Sequence, residues 1–141
     1  MLKKTIITVL ALVALIGLNG CGSSDNGSNN NDDLITLFLV DENGLSYGNI
    51  PYHCDSMSNW ETTRPNGEFT FLSYDNCEFD FIGLEGNYAN DSFSDHIIRI
   101  VDFDYNGKND IAYNCALFGA GTTYGDGRFD YDADDSCVFY L

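Results

Sequence analysis

The sequence is poor in basic residues. It contains 6 Lys and Arg against 22 Asp and Glu, which gives a formal net charge of −16 at pH 7. Proteins that bind nucleic acid need clustered Lys and Arg side chains to neutralise phosphates, and attraction to an anionic membrane surface needs them as well. The shortage therefore argues against nucleic acid as a partner and against electrostatic attraction to a membrane.

Histidine is also scarce, and no two cysteines are closely spaced. His53 and His96 are the only histidines, and neither has a nearby Ser or Cys in a nucleophile pattern. No Cys-x₂₋₄-Cys spacing of the zinc-site kind occurs. Residues 44–48 match Gly-x-Ser-x-Gly, but that motif needs a strand-to-helix turn in a large α/β sheet, and this chain is too short and too rich in strand patterns. We therefore expect a protein that is not an enzyme.

No apolar run is long enough to cross a membrane as a helix. The longest, residues 5–18, has 14 residues, whereas a spanning helix needs about 20. Lys3 and Lys4 precede this run, and a basic start followed by a short apolar segment is typical of a secretory signal peptide. Residues 1–20 are therefore expected to direct export and to take no part in the fold.

The apolar run ends in Leu18-Asn19-Gly20-Cys21. This tetrapeptide resembles the lipobox of bacterial lipoproteins. The resemblance implies cleavage before Cys21, acylation of Cys21 with chains such as palmitate, and a lipid anchor in the bacterial cell envelope. Gly22, rather than Asp, implies the outer membrane by the sorting rule of Gram-negative lipoproteins. Residues 21–33 then form a flexible tether, because no apolar side chain follows Cys21 in this stretch.

The rest of the chain contains an internal repeat, with one copy at 34–94 and another at 95–141. Landmarks of the first copy recur 61 residues later as far as the first cysteine of each copy, and 60 residues later from a Thr-Thr pair onward. A one-residue deletion after Cys115 explains the difference. The landmark pairs are 39–41 with 100–102, 50–54 with 111–115, 62–63 with 122–123, 67–71 with 127–131, and 77–81 with 137–141.

Apolar and polar residues alternate with a period of two in both copies, which indicates β-strands. Residues 34–40 and 96–101 are expected as the first strand of each copy, and no helical pattern occurs after residue 20. We predict an all-β fold, either as two tandem small β-sandwich-like repeats or as one pseudo-twofold sandwich. The expected core aromatics are Phe69, Phe71, Phe79, Phe81, Phe129, Tyr131 and Phe139.

Thr62 to Phe71 read Thr-Thr-x-x-x-Gly-x-Phe-x-Phe, and residues 122–131 repeat most of this pattern. The arrangement resembles small prealbumin-like or immunoglobulin-like modules, such as the carboxypeptidase-regulatory-like and Cna-B-like repeats that bacterial surface lipoproteins carry in tandem. The resemblance implies a stalk, spacer or adhesion unit rather than an enzyme. Its expected partners are an envelope protein or a glycan.

Four cysteines remain besides Cys21, two in each copy. Four cysteines allow three pairings. The repeat favours Cys54–Cys77 and Cys115–Cys137, because each bridge then closes a loop within its own copy. All four fall on expected core-facing positions, and an exported protein meets oxidising conditions. We therefore predict two disulfide bonds, one in each copy.

The loop 102–110 fits a calcium site. Oxygen-bearing side chains stand at its positions 1, 3, 5 and 9, and Gly107 at position 6 permits a sharp turn. The alternative is a plain acidic β-turn, which the first copy favours because its equivalent residues are poorer ligands. The candidate calcium ligands are Asp102, Asp104, Asn106, Asp110 and the backbone carbonyl of Lys108.

Three aromatic residues, Trp60, Tyr74 and Tyr124, fall in expected loops. Loop aromatics flanked by acidic groups suit contact with carbohydrate or peptide, and packing beneath the loop is the alternative. An accessory ligand-binding lipoprotein is accordingly the second functional hypothesis. The pair Asp134-Asp135 is expected to form a hairpin turn.

Overall fold

Nine strands make up the regular structure of residues 33–87 and 96–141, the part of the chain that the computed structural model describes. These described residues belong to one compact unit and contain no helix, so the predicted all-β class is confirmed. The predicted signal peptide, Cys21 and nearly all of the tether lie outside the described residues. The strands are β1 (Leu34–Val40), β2 (Pro51–Cys54), β3 (Glu61–Thr62), β4 (Glu68–Leu72), β5 (Asn76–Asp80), β6 (Arg99–Val101), β7 (Ala112–Cys115), β8 (Gly119–Thr122) and β9 (Ser136–Tyr140).

The strands form two antiparallel sheets. The smaller has the order β4-β1-β6 and the larger has the order β3-β2-β5-β9-β7-β8. In the larger sheet β5 pairs with β9, from Asn76 opposite Tyr140 to Asp80 opposite Ser136. Residues 34–87, here called the first segment, and residues 96–141, the second segment, therefore contribute strands to both sheets.

Within the described part of the chain, no helix could cross a membrane.

The core lies between the two sheets and follows directly from the alternating sequence. In β4 and β5 every second side chain is buried, because successive residues of a strand point to opposite faces. Phe69 meets Phe79 edge to face at 4.9 Å, and Phe129 meets Phe139 in the same way at 4.7 Å. All seven aromatic residues predicted for the core are buried. The arrangement is β-sandwich-like.

Two buried disulfides cross-link neighbouring strands of the larger sheet. Cys54–Cys77 joins β2 to β5, and Cys115–Cys137 joins β7 to β9. In both bridges the two cysteines stand directly opposite each other in the strand register. The predicted pairing is thus confirmed, and each bridge lies within one segment.

Residues 128–131 alternate as residues 68–71 do, which indicates a strand, but they do not form one in the structure. Among residues 33–87 and 96–141, the one strand-like pairing of this stretch is a bridge between Arg99 and Arg128. The side chain of Asn87 takes the place of a partner strand, because its Nδ2 donates to the Phe129 carbonyl at 2.6 Å and its Oδ1 accepts the Tyr131 N–H at 2.9 Å. The backbone N–H of Asn87 also donates to the Tyr131 carbonyl at 3.0 Å. The polar backbone groups of this segment are therefore satisfied outside a regular ladder.

Asp135 also differs from its predicted role as a turn residue. Asp134 does occupy the turn, with a φ of 55°, but the Asp135 side chain is fully buried. The Asp135 carboxylate ties the loop that precedes β8 to the start of β9 by accepting four backbone N–H groups. The donors are Leu117 (2.8 Å), Phe118 (3.0 Å), Asp132 (3.0 Å) and Ser136 (2.9 Å).

Replacing Cys54 and Cys77 together by alanine should lower the free energy of unfolding by about 3 kcal/mol, because the bridge closes a loop with a sequence separation of 23. The Cys115–Cys137 pair, with a separation of 22, should behave alike. Urea denaturation of the oxidised proteins measures both effects. Cys21→Ser is the control, since it leaves both bridges intact. Unchanged midpoints in the double variants would contradict a stabilising role for the bridges.

Asp135→Asn should lower the free energy of unfolding by about 2–3 kcal/mol. The amide keeps the shape of the side chain but turns its own N–H group toward backbone donors, which then lose their acceptor while still buried. The matched control is the exposed Asp104→Asn, for which we expect almost no change. Denaturation curves that shift equally for the two variants would show that the Asp135 contacts do not stabilise the fold.

Candidate functional site

The predicted calcium loop is a tight turn after β6, closed by the side chain of Asp102. Its Oδ1 accepts the backbone N–H of Asp104 at 2.9 Å and of Asn106 at 3.0 Å. The backbone N–H of Asp102 donates to the Asn106 carbonyl at 3.0 Å. The hydrogen bond from the Asn106 N–H holds the pKa of the Asp102 carboxyl below its usual range. This geometry is that of an Asx turn.

The remaining candidate ligands also take part in hydrogen bonds within the chain. The Lys108 carbonyl accepts the Thr123 hydroxyl at 2.6 Å, and Asp110 Oδ2 accepts Asn109 Nδ2 at 3.1 Å. Asp102, Asp104 and Asp110 do not gather their carboxylates around one point: in the described residues, the acidic, His and Cys groups close enough to share an ion are Cys115, Asp135 and Cys137. The two cysteines of that group are bonded to each other. Calcium at the 102–110 loop stays a prediction.

The loop after β1 folds by the same hydrogen bonds without the same set of oxygen side chains. Asp41 Oδ1 accepts the backbone N–H of Asn43 and of Leu45, each at 2.8 Å. The hydroxyl of Thr63 donates to the Tyr47 carbonyl at 2.7 Å, as Thr123 does to Lys108. The capping aspartate is therefore sufficient for this turn, which favours a plain β-turn over a loop that needs an ion.

The three loop aromatics proposed as ligand contacts do not form one site. Trp60 precedes β3 and Tyr124 follows β8, and these strands are the opposite edges of the larger sheet. Five strand spacings separate the two edges, about 24 Å at about 4.8 Å each. Tyr74 is 92% exposed in the turn between β4 and β5. A ligand role for each residue stays a separate prediction.

Trp60 and Tyr124 each contact side chains close to them in the structure. The Trp60 ring lies 5.6 Å from the ring of His53. The Tyr124 hydroxyl donates to Asp130 Oδ2 at 2.7 Å, and the Arg128 guanidinium lies 4.8 Å from the centre of the Tyr124 ring. Packing against local neighbours therefore accounts for part of the surface of both residues.

The structure contains an aromatic cleft that the sequence reasoning missed. It lies on the outer side of the smaller sheet, has a volume of about 250 Å³, and is lined by Phe38, Val40, Asn66, Asp102, Phe103 and Tyr105. The rings of Phe38 and Phe103 lie 5.0 Å apart at an interplanar angle of 74°. Strand parity was a usable signal, because Phe38 alternates with the buried Leu37 and Leu39 and must face outward.

Comparison of the chain with protein-family models, with curated proteins and with solved structures finds no match.

Asp102→Ala should lower the thermal midpoint more than Asp102→Asn, because the amide oxygen can still accept the two backbone N–H groups. The lowered pKa adds a pH dependence. The stabilisation by the Asp102 carboxylate should be present above the ordinary Asp pKa and should disappear as the pH falls through the lowered value. Melting curves of the three proteins across this range measure the effect, and identical curves for both variants would contradict the Asx turn.

The same melting curves, recorded with calcium chloride and with a chelator, test the calcium prediction. A turn that closes through its own aspartate should give equal midpoints in the two solutions. A calcium site would instead raise the midpoint by mass action, and Asp102→Asn would abolish the rise. Asp41→Asn, in the turn after β1, is the matched control.

Proposed function

We propose that this protein is a non-catalytic, lipid-anchored protein of the bacterial cell envelope, and that its β-sandwich-like part serves as a structural or adhesion-type binding module. The observation that carries the proposal is the pair of buried cross-strand disulfides, Cys54–Cys77 and Cys115–Cys137. Disulfides of this kind persist in oxidising compartments outside the cytosol. They therefore agree with the export signal and the lipobox at Leu18–Cys21.

The charge of the protein supports anchoring by lipid rather than by electrostatic attraction. With residues 1–20 removed, the basic side chains are Arg64, Arg99, Lys108 and Arg128, against 22 acidic ones. Such a chain is repelled by anionic headgroups, whereas several acyl chains on one cysteine hold a protein at a membrane whatever its charge. We propose the outer membrane as the site of anchoring, on the basis of Gly22.

The buried polar side chains support a structural role for the folded part. In the described residues, the buried polar or charged side chains are Thr63, Asp75, Thr123 and Asp135. Each is hydrogen-bonded to backbone groups of nearby turns or loops. A buried polar group that fastens a turn stabilises one conformation, while a catalytic group must reach a substrate. The interior of the protein is therefore suited to rigidity.

We also propose that residues 34–141 are two copies of one unit that fold together into one sandwich. Equivalent hydrogen bonds support this: the Leu39 N–H donates to the Gly67 carbonyl and the Ile100 N–H to the Gly127 carbonyl, each at 2.9 Å. The two glycines have φ angles of 81° and 85°, and a Cβ would lie 2.2 Å from the Leu39 oxygen and 2.1 Å from the Ile100 oxygen. Both positions therefore favour glycine for the same two reasons, the positive φ and the lack of space for a Cβ.

A second set of contacts repeats at the same offsets. The hydroxyl of one threonine in each segment accepts a backbone N–H at 3.0 Å and donates to a backbone carbonyl, at 2.7 Å in the first segment and 2.6 Å in the second. Such agreement at buried positions supports the proposal that the two segments are copies of one unit. The first set joins Thr63 to Ile50 and Tyr47, and the second joins Thr123 to Ile111 and Lys108.

Intact mass spectrometry of the native protein, with and without reductant, tests the anchoring proposal. The expected mass is that of a chain beginning at an acylated Cys21, and reduction should add four hydrogen atoms because two bridges open. Cys21→Ser is the control, which should lose the acyl mass but keep both bridges. An unprocessed N-terminus in the native protein, together with four free thiols, would overturn the proposal.

A further inference from the structure

We infer that the aromatic cleft binds an alkylammonium group, with Phe38, Phe103 and Tyr105 facing the cation and Asp102 supplying the counter-charge. The shared chemistry covers the trimethylammonium group of a choline-type compound and the side-chain ammonium of a peptide lysine. The inference gives the binding role proposed above a ligand class and rests on that role, but it does not depend on the lipid anchor.

The arrangement of the rings suits a small cation. Phe38 and Phe103 make an edge-to-face contact with their ring centres 5.0 Å apart, and both rings line the cleft together with Tyr105. The face of an aromatic ring carries partial negative charge and attracts ammonium groups. A cavity of about 250 Å³ is smaller than the cavities typical of drug-sized ligands, and it suits a single headgroup or side chain.

The charges around the cleft favour a cation over an anion or a neutral ligand. Asp102 is the one Asp, Glu, Lys, Arg or His side chain in the described lining, so the cleft carries a negative charge at neutral pH. Arg99, on the neighbouring strand β6, directs its Nε to the Asp126 carbonyl at 2.8 Å. The net charge of −16 attracts cations to the whole surface.

The aromatic side chains are not needed to form the turn that carries them. In the equivalent turn after β1, Glu42 and Gly44 stand where the second turn has Phe103 and Tyr105. Gly44 has a φ of 81° and Tyr105 a φ of 61°, a conformation that a bulky residue adopts at a cost. The same hydrogen bonds close both turns. The turn itself therefore does not require a tyrosine at this position, whereas the ring of Tyr105 lines the cleft.

Isothermal titration of the disulfide-bonded full-length protein with choline chloride tests the inference. We expect saturable binding, and about tenfold weaker binding of 3,3-dimethylbutan-1-ol, which has the shape of choline without its charge. A parallel titration with N-acetyl-lysine methylamide distinguishes the two sources of the ammonium group. Equal binding of choline and its neutral analogue would overturn the inference. It would also be overturned if neither choline nor the lysine derivative bound saturably.

Variants locate the site. Tyr105→Gly copies the turn that Gly44 already forms, so it should keep the unfolding midpoint while weakening choline binding about tenfold or more. Asn49→Gly is the matched control, because it also places glycine at a left-handed turn position, with a φ of 61°. Phe103→Ala should weaken binding similarly, and the exposed Leu117→Ala should not. Undiminished binding in both cleft variants would overturn the assignment to this cleft.

The two proposals fail separately. A protein that shows the acylated mass and both bridges but binds neither choline nor the lysine derivative would leave the envelope proposal standing and remove the alkylammonium site. A protein that binds choline in the cleft but lacks the acyl mass would do the reverse.

Discussion

The antiparallel pairing of β5 with β9 is the interaction on which the rest of the structure depends. It joins strands of the first and second segments at the centre of the larger sheet. Domains of about 50 residues bury a small fraction of their surface and are therefore only marginally stable when they fold alone. Joined at this seam, the segments share one core, in which Phe79 contacts Phe139 at 5.7 Å and Phe81 contacts Phe129 at 5.6 Å.

The disulfides extend the effect of this central pair toward the sheet edges. Each bridge attaches one flanking strand, β2 or β7, to one of the two central strands. The register also places Cys77 opposite Phe139 and Cys137 opposite Phe79, so each bridge lies next to an aromatic residue of the neighbouring central strand. The edges beyond are the two-residue β3 and the four-residue β8. Short edge strands offer little backbone for unwanted pairing with other chains.

The fold class and the cross-links could be predicted because both follow from local periodicity. Burial on one face forces a period of two in β4, β5 and β9, and the cysteines of β2, β5, β7 and β9 all fall on buried positions. The Asn87 contact could not be predicted, since it joins a side chain to a backbone 42 residues away. Asp135 was misassigned because an acidic residue in a turn-rich stretch is usually exposed, and its donors at Leu117 and Phe118 come from another loop. The strand predicted at 96–101 is shorter in the structure, where β6 begins at Arg99.

The aromatic cleft escaped prediction for a related reason. Phe38 reads as an ordinary outward residue of β1 and Phe103 as an ordinary loop residue, and only the pairing of β1 with β6 makes them neighbours. The calcium hypothesis assigned the oxygen side chains of the same loop as metal ligands, whereas in the structure the Asp102 side chain closes the turn by hydrogen bonds. One backbone frame thus occurs twice, capped by Asp41 and by Asp102. Because the cap alone is enough to form the turn, the residues between are free to differ, and the second turn places two aromatic rings beside Phe38 and the Asp102 carboxylate.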